Sequence, residues 1–85
     1  MQKFNVMNGV IMDSFSGSAS VTKNYPGDVC SFAIANDGDA DVVIDLGYCQ
    51  ITVKSDEVFD DNIVPQRSFT ITATDSYRCL VRGEN

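Results

Sequence analysis

The chain has 85 residues, 44% of them hydrophobic, with six Lys and Arg against twelve Asp and Glu and no histidine, for a net charge of −6. Residues 1–85 therefore make one domain, and a domain this small buries roughly 60–65% of its unfolded surface, so a partner chain or another staple is expected to support it. The acidic balance and lack of any basic run argue against direct nucleic acid binding and against anionic membrane surfaces, and without histidine the commonest general base and metal ligand is missing.

In chain order, Gln2 to Met7 alternates Phe4 and Val6 with Lys3 and Asn5, and Asn8-Gly9 is a turn signal. Met1–Met7 and Val10–Phe15 are expected to pair as a hairpin. No basic stretch followed by an apolar run opens the chain, and no apolar run is long enough to span a bilayer, so synthesis in a cytoplasm is expected. Ser14 to Ser20 is small and polar, which fits a loop or an edge strand bent at Gly17. Tyr25-Pro26-Gly27-Asp28 predicts a tight turn, with proline fixing φ at the second position and glycine taking positive φ at the third.

Val29 to Ala35 predicts a central strand, with Cys30, Phe32 and Ile34 on one face and Ser31, Ala33 and Ala35 on the other. Asn36 to Asp39 turns the chain. Val42, Ile44 and Leu46 then face inward, Asp41 and Asp45 outward, with Val43 on the outer face. After Gly47, Cys49, Ile51 and Val53 are expected inside, and Tyr48, Gln50, Thr52 and Lys54 outside. Ser55 to Pro65 breaks the alternation. Its Val58, Phe59, Ile63 and Val64 would plug an open end, with one helical turn near Asp56 to Asn62 and Pro65 ending the segment.

Ser68 to Arg82 has the clearest period of two, with Phe69, Ile71, Ala73, Tyr77, Cys79 and Val81 on one side. It predicts a β-hairpin closed by Thr74-Asp75-Ser76, with Ala73 opposite Tyr77, Ile71 opposite Cys79 and Phe69 opposite Val81. Leu80 is left on the outer face. Together the segments predict an all-β fold, a single-domain antiparallel β-sandwich, jelly-roll-like or Ig-like, of about seven to eight short strands.

The chemistry points away from an enzyme: no Ser-His or Cys-His pair exists, no glycine loop cradles phosphate, and the acids cluster in turns. No cofactor is implied. Cys30, Cys49 and Cys79 form no CxxC pair and read as reduced, small buried apolar residues. Asp37, Asp39 and Asp41 alternate like the start of a calcium loop, but Val42 stands where glycine belongs and Tyr48 where the bidentate glutamate belongs. A looser calcium site would need Asp56, Glu57, Asp60 or Asp61. Tyr48 on an outer face and Tyr25 on a turn are candidates for stacking on a sugar or anchoring an interface. Val43 and Leu80, apolar on outer faces, point to a homo-oligomer that covers its sheet edges.

The segments ITVKSDEVFDDN, Ile51 to Asn62, and PQRSFTITATDSYRCLVRG, Pro65 to Gly83, resemble small all-β virion proteins of tailed bacteriophages that decorate capsids or form neck and tail parts. The resemblance covers the second half of the chain and transfers no functional residue. It implies a non-enzymatic, self-associating structural protein located in the virion, with other virion proteins as partners. Two further readings are a carbohydrate- or protein-binding β-module centred on Tyr48, and an acidic inhibitor of a host protein.

Overall fold

Two long strands carry the fold. In the computed structural model, which describes residues 10–83, β2 (Val21–Asn36) and β5 (Val58–Thr72) pair antiparallel along nearly their whole length. Around them stand β1 (Val10–Gly17), β3 (Val42–Asp45), β4 (Gln50–Val53) and β6 (Tyr77–Gly83). All pairings are antiparallel, and one sheet runs in the order β1-β6-β2-β5-β3-β4. The fold is all-β, with six strands and no helix among the described residues, where seven or eight strands were expected of the whole chain. The expected pairing of Met1–Met7 lies outside the described residues.

The β2–β5 ribbon bends back on itself. Phe69 sits opposite Lys23 in the ladder, while Phe32 sits opposite Asp61. Phe32 is thus nine positions along β2 from Lys23 (32 − 23), about 30 Å in a straight strand. Yet the Phe32 and Phe69 rings lie 5.3 Å apart. The bend falls where the ladder is interrupted, between Asn24 and Val29. Tyr25-Pro26-Gly27-Asp28 is therefore a bend inside one strand and not a chain-reversing turn, and Gly27 is not among the positive-φ residues. Proline suits this place because no ladder bond is asked of it there.

Folding the ribbon turns one face of the sheet onto itself and encloses Val29, Phe32, Ile34, Val42, Ile44, Leu46, Val53, Phe69, Ile71, Ala73, Tyr77, Cys79 and Val81. Each large apolar side chain buried here contributes about 1.5–3 kcal/mol. Every residue of the expected inward set in Ser68 to Arg82 is in this core. The expected hairpin is not formed. β5 pairs with β2 and β3, and β6 pairs with β1 and β2, so the two are not neighbours in the sheet. Thr72 lies opposite Val43, and Tyr77 lies opposite Asn36.

Several local expectations are corrected by bulges and by the length of β5. Val29 pairs with Gly83 and Ser31 with Arg82, so Cys30 is an extra residue in β2. The bulge hands the inward position to fully buried Val29 and leaves Cys30 half-buried. Cys49, expected inside, is exposed in the β3–β4 loop. The expected helical turn at Asp56 to Asn62 is instead a tight turn at Ser55-Asp56 followed by strand, with Asp56 at φ 66°. Pro65 does not end the segment: β5 runs through it, at a second interruption of the β2 ladder between Asn62 and Gln66.

Candidate functional site

The feature most suited to recognition is the outer edge of the first part of β5. β3 covers β5 only at Thr70, Ile71 and Thr72. From Val58 to Phe69, the side of β5 facing away from β2 carries no described strand. A bare strand edge is a row of donors and acceptors that invites pairing. Val58 and Val64 on this stretch are 66% and 60% exposed, while Phe59 and Ile63 pack half-buried against the core. The expected apolar plug therefore forms only from Phe59 and Ile63.

Polar groups lie along the same stretch. The Val64 N–H donates to the Tyr48 hydroxyl at 3.0 Å, which shows that this N–H points away from β2. Arg67 lies 3.5 Å from the Asp28 carboxylate, and Asp60 accepts from Arg82 at 3.0 Å. Asp61 accepts only the neighbouring Asn62 N–H at 2.8 Å among its described bonds. Pro65, which has no N–H, falls inside the gap of the β2 ladder.

The other candidates are placed as follows. Tyr48, 53% exposed, is at the surface as expected, in the β3–β4 loop, with its hydroxyl on the β5 edge. Tyr25 is not on an open turn: it packs on Phe69 with rings 6.1 Å apart and donates its hydroxyl to Asp13 at 2.8 Å. Burial, with the Asp13 carboxylate beside it, raises its phenol well above the usual range. Val43 is half-buried on β3 between β4 and β5. Leu80 is half-buried beside Ala33 and Ala35, where the small side chains of β2 leave a shallow outer depression of 270 Å³ walled by Val58 and Arg78.

The acids of the 37–41 turn are engaged separately. Asp37 takes two bonds from the Arg78 guanidinium, at 2.6 and 3.0 Å, and this pairing lowers its carboxyl below the usual range. Asp41 lies 4.0 Å from Lys54. The Asp39 N–H donates to Asp75 at 3.0 Å. Among the described residues no three His, Cys, Asp or Glu side chains converge as a metal site would require. Among the described residues no helix is long and apolar enough to cross a membrane.

No family model, curated protein or solved structure matches the chain. The site therefore rests on its own geometry. Sequence reading missed the β5 edge because the ladder partner of a strand is not written in its alternation. One signal was present: Asp60, Asp61 and Pro65 interrupt the apolar Val58, Phe59, Ile63 and Val64, a composition that suits an edge and not a central strand.

Proposed function

We propose that the chain is a non-enzymatic structural protein that self-associates, serving as a decoration, neck or tail component of a bacteriophage particle. The observation that carries the self-association is the uncovered β5 edge with Val58 and Val64 exposed along it. A small domain gains stability by covering such an edge with a further chain. The folded ribbon supports a finer reading of the architecture as a two-layered sandwich, jelly-roll-like or Ig-like, whose strands present edges at both margins. The virion setting is supported by the likeness of Ile51 to Asn62 and Pro65 to Gly83 to small phage virion proteins.

Light scattering at micromolar concentration tests the first part. A mass above that of the 9.3 kDa protomer is expected, and a monomeric mass overturns the reading. Detection of the protein in purified particles by mass spectrometry tests the second part, and recovery only from the soluble host fraction overturns it. The inhibitor reading finds less support: Asp13, Asp28, Asp37, Asp41 and Asp60 each pair with a Lys or Arg of the same chain, so they do not form one bare acidic face.

A further inference from the structure

We infer that the β5 edge pairs with the same edge of a second copy, antiparallel about a twofold axis at Val64, and that Tyr48 caps this edge in the free protomer. The inference rests on the self-association proposed above and specifies its surface and register. Directly opposite residues of an antiparallel ladder turn their N–H groups both toward each other or both away. The outward Val64 N–H therefore requires an outward N–H opposite it. Where the strand alternates regularly, that leaves Val58, Asp60, Asn62, Val64, Gln66 or Ser68 of the second copy.

Charge and the extent of the bare edge select among the six. With Val64 opposite Val64, Asp61 faces Arg67 of the second copy, and by symmetry Arg67 faces its Asp61. Opposite charges across a strand pair are favourable. With Val64 opposite Val58, Asp61 faces the second copy's Asp61, a like-charge pair; with Val64 opposite Asp60 it faces Ile63; with Val64 opposite Asn62 it faces Pro65; and with Val64 opposite Ser68 it faces Ile71, which β3 already covers. With Val64 opposite Gln66, Asp60 faces Thr70, whose outer side β3 already occupies. Only the first register matches charges and stays within the free part of the edge. It also places the exposed Val64 side chains against each other. Pro65 does not obstruct it, because with Val64 N–H outward the Pro65 nitrogen lies on the β2 side, in the ladder gap.

Tyr48 competes with the second copy for the Val64 N–H. Pairing displaces the phenol and gives that donor a backbone carbonyl instead. Arg67 exchanges its exposed contact with Asp28 for the second copy's Asp61.

Sedimentation velocity on the full chain, from micromolar to millimolar, provides the test, with circular dichroism confirming that each variant is folded. Asp61→Arg and Arg67→Asp each place like charges opposite each other twice, and each is expected to weaken association at least about tenfold. The double variant D61R/R67D is expected to restore it. Tyr48→Phe frees the Val64 N–H and is expected to tighten association about fivefold. Wild-type association that neither single charge change weakens overturns the register and leaves the self-association intact. So does weakening that the double variant fails to restore. A wild-type protein that stays monomeric throughout overturns both.

Discussion

The Asn36 amide donates to the Val53 carbonyl at 2.9 Å, joining β2 to β4, two strands that are not neighbours in the sheet. The same amide donates to the Ala40 carbonyl at 2.8 Å, and its oxygen accepts the Gly38 N–H at 3.0 Å. The Asn36 backbone exchanges bonds with Glu57 and Asp56 at 2.9 and 3.0 Å. With 2% exposure, this side chain sits where an unmet polar group is costly. Asn36→Ala is expected to destabilise the fold by about 2–4 kcal/mol in urea titration. Asn36→Asp is expected to be worse, since a carboxylate would face the two carbonyls that the amide now serves.

Gly83 lies where β1, β6 and β2 meet, opposite both Val10 and Val29. A Cβ there would stand 2.9 Å from the Asp28 carbonyl oxygen and would also meet the Met12 side chain. The methionine can move, but the backbone oxygen cannot move without disturbing the β2 bend. Gly83→Ala is expected to lower stability by about 1–3 kcal/mol. Gly27→Ala, with nothing near its Cβ position, is expected to be nearly neutral by the same urea titration.

The three cysteines differ in access. Cys49 is exposed, Cys30 half-buried, and Cys79 buried with its thiol pushed up to about 12, chiefly by burial. The thiolate is the reactive form. Titration with a chromogenic disulfide on native protein is expected to modify Cys49 first, and Cys49→Ser is expected to abolish that fast phase. Cys79 is expected to react only with unfolding, at a rate that rises with denaturant.

Stability is expected to be flat between about pH 5 and pH 8 and to fall on both sides. Asp13 is lowered chiefly by the Tyr25 hydroxyl, Asp37 by Arg78, and Asp75 by the Asp39 and Ser76 N–H groups. Their contributions are present above the unfolded carboxylate pKa, near 4, and are lost as pH falls through the lower folded values. Tyr25, Tyr77 and Cys79 are raised, foremost by burial. Their contributions are full below the unfolded values, roughly 8.5 for thiol and 10 for phenol, and are lost as pH rises beyond them. The chain has no histidine to titrate between these limbs. Thermal midpoints from pH 3 to pH 11 check the shape, and Tyr25→Phe is expected to make the acid limb shallower.

Alternation along the chain told which side chains turn inward but not which strands lie side by side. Phe69, Ile71, Ala73, Tyr77, Cys79 and Val81 are all buried as their spacing required, yet they face one another across the core instead of along a hairpin. Either arrangement hides the same set, so the pattern cannot separate them. Pro26-Gly27 and Pro65 were legible as interruptions, but each interrupts the ladder of a strand that continues past it. Cys30 was misplaced because one inserted residue reverses the inside and outside of everything before it. At the site, the exposure of Tyr48 could be read from its outward position. Its bond to Val64 could not, because sixteen residues and a strand exchange separate the two.

Because β2 and β5 each run past the bend at Tyr25 to Asp28, neither half of the molecule is a unit that survives alone. Severing the chain there would strip a strand from both ends together, so melting should proceed as one all-or-none event. Its strands find mates mainly far along the polypeptide, which makes the route to the native state slow, on the order of milliseconds to seconds, for so short a protein. During that interval the edges of the long strands stay unmated, and such cover as they gain comes only once the ribbon has closed on itself.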